Sequence, residues 1–118
     1  MESKIELTCE PVKGRNDAEV IRFAGDLDAT NVQTVLEKVT TFFNEGKVQI
    51  VADFAKLRYV NSTGLGILLH LNKSAKEKSG RFKIANVNEN VFEIVEIIGA
   101  TSILEIYDTV EEALASLN

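Results

Sequence analysis

The chain has 118 residues, 45% hydrophobic and 26% charged, with a formal charge of −5. That is the composition of one globular domain over 1-118, long enough to bury a core without staples and unlike a disordered or fibrous chain. A single cysteine, Cys9, and a single histidine, His70, exclude an internal disulfide and a Cys/His metal cluster, and the acidic balance argues against nucleic acid as a partner.

The opening "MESKIELTCE" lacks a basic region followed by an apolar run, and no window reaches the length of a membrane span. The expectation is a cytoplasmic chain with no membrane insertion. "KIELTCEPV" (Lys4 to Val12) and "AEVIRFAG" (Ala18 to Gly25), separated by the turn-rich "KGRND", read as a β-hairpin. In "TNVQTVLEKVTTFF", Val32, Val35, Leu36, Val39, Phe42 and Phe43 recur with a helical period. Thr30 with Gln33 resembles a capping box there, and Gly46 is a plausible stop. "KVQIVADF" (Lys47 to Phe54) is a short β-branched apolar run bounded by Gly46 and a charged loop, the pattern of a strand covered on both faces.

A helix opened by Ser62 follows and ends near Ser79-Gly80, and "RFKIANV" reads as the next strand. Asn88 looks like the cap of a helix with Val91, Ile94, Val95 and Ile98 on one side, closed by Gly99. A short strand around Ile103 to Tyr107 precedes a last helix, for which Asp108 and Glu111 form a second capping box. The order ββαβαβαβα implies parallel crossover units behind an N-terminal hairpin: one α/β domain with a mixed, mostly parallel sheet and about four helices. The loops "GDLDAT" and "YVNSTG" should then emerge on one edge, where sites in open α/β sheets form.

"VNSTGLGILL" (Val60 to Leu69) places a hydroxyl pair beside two glycines at the start of a helix. A serine nucleophile needs a base and, in the hydrolase elbow, a glycine two residues earlier; here that position is Val60, and His70 lies two turns down the helix and rotated away. "GRNDAE" and "STGLG" lack the spacing and the lysine of a phosphate-cradling loop. Asn61-Ser62-Thr63 matches the glycosylation sequon, which matters only in a secreted chain. No catalytic residue and no metal ligand is therefore expected.

Two readings remain open. Serine is a good N-cap. Yet Gly64 and Gly66 in the first turn each cost about 1 kcal/mol against alanine, which capping does not require; small residues there would leave the hydroxyl open to approach by another protein. Ile67, Leu68, Leu71 and Ala75 form a core face, while Leu65 and Leu69 point about a third of a turn away beside Asn72, Lys73 and Lys76. That apolar pair is either part of a broad core stripe or a docking surface next to Ser62.

"GDLDATNVQTVLEKV" followed by "IVADFAKLRYVNSTGLGILLHLNKSAKEKSGRFKIANV" resembles the STAS domain, and more narrowly the stand-alone bacterial anti-sigma factor antagonists. The likeness covers nearly the whole chain: the Gly25-Asp26-Leu27-Asp28 turn, the Asp53 strand end, the Ser-Thr-Gly-Leu-Gly helix start and the final short helix. It implies a partner switch. Unmodified, such a protein binds an anti-sigma factor that is also a serine kinase and so frees the sigma factor; phosphorylated on the serine matching Ser62, or less often on Thr63, it is released, and a metal-dependent serine phosphatase resets it. ATP and magnesium would belong to the kinase and a divalent metal to the phosphatase, leaving this chain a non-enzyme without cofactors, monomeric when free. The partner face implied comprises Asp26, Asp28, Asn61, Ser62, Thr63, Gly64, Leu65, Gly66 and Leu69. One residue departs from the family pattern: Asn61 stands where aspartate is usual, keeping the size and an acceptor oxygen but not the charge. The alternative is a STAS subunit that docks on a transporter ATPase or another partner without phosphorylation control.

Overall fold

A computed structural model of the chain describes residues 4–117. The hairpin is β1 (Ile5–Pro11) and β2 (Ala18–Leu27), followed by α1 (Val32–Asn44), β3 (Gln49–Val60), α2 (Ser62–Glu77), β4 (Arg81–Ala85) and α3 (Glu89–Ile98). A 3-10 turn at Ala100–Ser102 then leads to β5 (Glu105–Tyr107) and α4 (Val110–Ala115). The five strands form one sheet in sequence order, β1 antiparallel to β2 and each later neighbour pair parallel. The expected hairpin, element order and mostly parallel α/β sheet are all present.

Side-chain alternation divides the sheet between two cores. Ile21 and Phe23 of β2, Ile50, Ala52 and Phe54 of β3, and Phe82 and Ile84 of β4 join the main core, which also takes in buried residues of α1, α2 and α3. Val20, Val51 and Ala85 project to the opposite face and meet Ala113 of α4 in a smaller cluster. One short helix thus covers the second face. A strand buried on both sides leaves no place for polar alternation, which is why Ile50 to Ala52 of β3 read as an apolar run.

β3 is longer than expected. Instead of ending at Phe54 it runs to Val60, its last residues pairing with Ala24 to Leu27 of β2 after register shifts near Phe23 and Gly25. Asp53 is therefore not a strand end: buried within β3, its Oδ1 accepts from the Ala55 amide at 3.0 Å and from Asn86 Nδ2 at 2.9 Å. The charged stretch "AKLRY" stays in the strand because Leu57 and Val60 are fully buried while Lys56, Arg58 and Tyr59 face solvent. β4 stops pairing with β3 at Ala85, so β3 overhangs, and Asn88 covers the overhang. Its Nδ2 donates to the Leu57 carbonyl at 2.8 Å while its Oδ1 accepts from the Val91 amide at 2.8 Å, capping α3 as expected. Gly99 closes that helix at φ +83°, a left-handed position that favours glycine.

Two expected capping boxes are absent. α1 starts at Val32 with Asn31 at its N-cap position, while the Thr30 hydroxyl donates to Asp28 Oδ1 at 2.7 Å and Gln33 contacts Glu37. α4 is capped by Thr109, whose Oγ1 accepts from the Glu112 amide at 3.1 Å, and not by Asp108. In both, the loop enters the helix one residue later than the sequence pattern suggests, because cap identity follows from the backbone angle of entry, which the strand before it sets.

Asn88→Ala removes the cap and leaves a backbone carbonyl without its partner, so it should cost about 2 kcal/mol in urea unfolding. The neighbouring exposed Asn90→Ala should stay within about 0.5 kcal/mol.

Candidate functional site

The ends of β2 and β3 meet at one edge of the sheet. Leu27 and Val60 are register partners, and the chain passes from β3 into α2 through a single residue, Asn61. The Asn61 amide donates to the Leu27 carbonyl at 3.2 Å. Its side-chain Oδ1 accepts from the Gly64 amide at 2.9 Å, and its own carbonyl takes the Leu65 amide, the first bond of the helix. Asn61 is thus the N-cap. Ser62, for which the cap is one of two sequence readings, is the first helical residue and is exposed. The amides of Ser62 and Thr63 have no intrahelical acceptor at this position, so they add partial positive charge next to the Ser62 hydroxyl.

The two glycines do different things. A Cβ on Gly64 would lie 2.7 Å from Val60 Cγ2, 2.8 Å from the Leu27 carbonyl oxygen and 2.9 Å from Leu27 Cγ, whereas one on Gly66 would meet nothing within 4 Å. Gly64 lets α2 settle onto the strand ends; Gly66 leaves the surface beside Ser62 bare. Only Gly66 matches the expected opening toward a partner, and Gly64 belongs to the buried side of the helix.

Leu65 requires a further correction. It is fully buried, in one core with Leu68, Leu71 and Ala75. α2 touches α1, β3 and β4 at once, and a helix enclosed on several sides needs a wider apolar stripe than one lying on a flat sheet. Asn72, expected on the polar flank, is buried as well. Leu69 is half-buried and Ile67 also only partly covered. Of the residues expected on a partner face, Ser62, Thr63 and Gly66 are exposed; Asp26, Asp28, Asn61 and Leu69 are partly so; Gly64 and Leu65 are inaccessible.

The acidic pair shares this edge, as expected, with distinct partners. Asp28 Oδ1 accepts from the Thr30 amide and hydroxyl, and the Asp28 amide donates to Asn31 Oδ1, so this carboxylate shapes the turn before α1. Asn31 Nδ2 in turn holds the Asp26 carbonyl at 2.8 Å. The Asp26 carboxylate pairs with Arg58 Nη2 at 3.3 Å. Arg58 is three-quarters exposed, so the pair contributes little to stability; it chiefly sets the local charge. Arg58 and the 48% exposed Tyr59 also stand at this edge, although the charges of their segment read in the sequence as a loop. The apolar positions Leu57 and Val60 on either side were the available signal.

His70 is exposed eight residues along α2 from Ser62, a rise of about 12 Å along the axis. Among the described residues no three His, Cys, Asp or Glu side chains gather as a metal site, and no helix is long and apolar enough to cross a membrane.

A hairpin-led, mostly parallel sheet whose third strand turns through one asparagine into a serine-headed helix defines the class of protein. Residues 11–113 match the model of the STAS domain family, and the chain belongs to that family. Among its relatives, the anti-sigma F factor antagonist of Paenibacillus polymyxa is 27% identical over 99 residues, covering 83% of this chain and 85% of that protein. The crystal structure of an anti-sigma factor antagonist from Mycobacterium paratuberculosis shares the fold with a TM-score of 0.83 at 17% identity, over 97% of this chain and 94% of that one. The Bacillus cell fate determinant SpoIIAA in its phosphorylated form shares it with a TM-score of 0.71 at 24% identity, over 93% and 97%.

Gly64→Ala should destabilise the domain by about 1–3 kcal/mol through overpacking, and Gly66→Ala should be neutral or stabilising by up to about 1 kcal/mol. Asn61→Ala should cost about 1 kcal/mol, and Asn61→Asp close to nothing. Denaturant midpoints of the four variants check the assignment of cap and packing glycine.

Proposed function

We propose that the chain is an anti-sigma factor antagonist whose unmodified form binds an anti-sigma factor with serine kinase activity, and that phosphorylation of Ser62 switches this binding off. The observation that carries the reading is the exposed Ser62 at the first position of α2, beside the bare backbone of Gly66. A kinase can reach such a hydroxyl, and a docking protein can press close to it. Relatives named anti-sigma factor antagonists, and a solved relative in a phosphorylated form, support the same role.

The electrostatics favour a switch that leaves the fold intact. A phosphate brings about −1.5 to −2 charges, which the free amides and dipole of a helix N-terminus accommodate. Asn61 leaves the cap neutral where the usual aspartate would add a negative charge, and it supplies the same acceptor oxygen to the Gly64 amide. In a docked complex the same dianion would have to be stripped of water or would meet like charge, and a few kcal/mol there weakens association by orders of magnitude. The contact surface is Ser62, Thr63, Gly66 and Leu69 with Asp26, Asp28, Arg58 and Tyr59 beside them. ATP and Mg²⁺ act in the kinase and a metal-dependent phosphatase reverses the modification; the chain itself is ligand and substrate, not an enzyme.

Incubation with the cognate kinase and ATP should place one phosphate on Ser62 by mass spectrometry. Calorimetry against the anti-sigma factor should show Ser62→Ala binding within a few-fold of wild type and Ser62→Asp weaker by about tenfold or more. Undiminished binding by the aspartate variant and by the phosphoprotein would rule out the switch.

A further inference from the structure

The sheet edge opposite Ser62, where β3, β4 and β5 begin, carries a cavity of about 390 Å³. Gln49 of β3 and Arg81 and Lys83 of β4 line it together with Glu105 and Tyr107 of β5; Ser79 and Ser116 complete the wall. Every one of these side chains is polar. Ligand cavities of this size are usually walled by apolar groups with a few polar ones, so this wall suits a ligand rich in hydroxyls.

Lys83 lies at its base. Strand alternation sends Phe82 and Ile84 to the main core and Lys83 to the other face, where it is 4% exposed. Its Nζ stands 2.8 Å from Ser116 Oγ, 3.0 Å from the Tyr107 hydroxyl and 3.4 Å from Glu105 Oε1, and 5.0 Å from the centre of the Tyr107 ring. Burying an ammonium is expensive even with good partners, and an aliphatic side chain would serve packing at lower cost. Among the described lining residues Glu105 is the only carboxylate, and it faces both Lys83 and, at 3.9 Å, Arg81. The described lining thus sets two cations against one anion, in a chain of formal charge −5.

The hydrogen-bond inventory defines what would fit. Three neighbours occupy the three donors of Lys83, and the Ser116 hydroxyl donates to the Ala113 carbonyl at 2.6 Å. The phenol proton of Tyr107 remains available, made a better donor because the Lys83 ammonium holds the group below its usual pKa. Arg81 uses one terminal nitrogen on the Gly80 carbonyl and keeps further N–H groups in hand. Gln49 Oε1 is buried with no partner among the described residues, and a turn of the amide about its last torsion would bring it to the cavity as an acceptor.

We propose that this cavity binds a small polyhydroxylated anion, its carboxylate or phosphate held by Arg81 and the Tyr107 hydroxyl and one of its hydroxyls donating to Gln49. The site lies across the sheet from Ser62 and is independent of the phosphorylation reading, so the domain would take a second, metabolite-borne input.

Amide NMR titrations of the full chain with D-gluconate, sorbitol 6-phosphate, sorbitol and hexanoate test this directly. An anionic polyol should move the amides of residues 49, 81 and 107 and bind about tenfold or more tightly than sorbitol or hexanoate. Which of the two anions binds better identifies the acidic group. Arg81→Gln should abolish the preference over sorbitol, and Gln49→Leu should weaken the anionic polyol several-fold while leaving hexanoate unchanged. Absence of saturable shifts at these residues up to about 10 mM ligand, or equal affinity for all four compounds, overturns the proposal.

Discussion

The join between β3 and α2 depends on one residue. Asn61 ties its amide to Leu27 at the end of the neighbouring strand and its side chain to Gly64 in the first helical turn. Those two bonds fix where the helix starts and the direction in which it leaves the sheet. Gly64 then allows α2 to sit so close to Leu27 and Val60 that a methyl group has no room. With the helix clamped this way, the next side chain, Ser62, has only solvent to face.

Three asparagines share the work along this edge. Asn31 holds the Asp26 carbonyl and the Asp28 amide, Asn61 holds the strand-to-helix join, and Asn88 closes the overhanging β3 while capping α3. Asn31 and Asn88 use both the donor and the acceptor of a short side chain, and Asn61 its side-chain acceptor with its own backbone amide, to satisfy backbone groups that strand and helix ends leave unpaired. The edge is thereby stiff without being covered. Such an uncovered edge fits the switch proposed at Ser62, since the fold need not move for a partner to detect added charge there.

The two sheet faces are unequal in the same way. The main core takes three helices and nearly all the large buried apolar side chains, while the other side is covered by α4 alone, through Ala113 with the partly buried Val110 and Leu114. The thinly covered face has room for ionic groups: Asp53 with Arg22 and Asn86 toward one end, Lys83 with Glu105 and Tyr107 toward the other.

Period and punctuation determined most of the architecture in advance. The helical spacing of Val35, Val39 and Phe43, the apolar run of β3, the cap at Asn88 and the stop at Gly99 depend on forces acting within a few residues, so a linear reading finds the hairpin, the element order, the parallel edge and the helix headed by Ser62. Tertiary structure alone decided which residue caps α2, whether Leu65 faces the core or a partner, and which glycine is packed. The cap depends on the angle at which β3 delivers the chain. Leu65 is buried because α1 closes on a helix already lying on the sheet, and Gly64 differs from Gly66 only through the nearness of Leu27 and Val60. The ionic cluster at Lys83 likewise joins residues from β4, β5 and the C-cap of α4, a contact that exists only once those elements have come together.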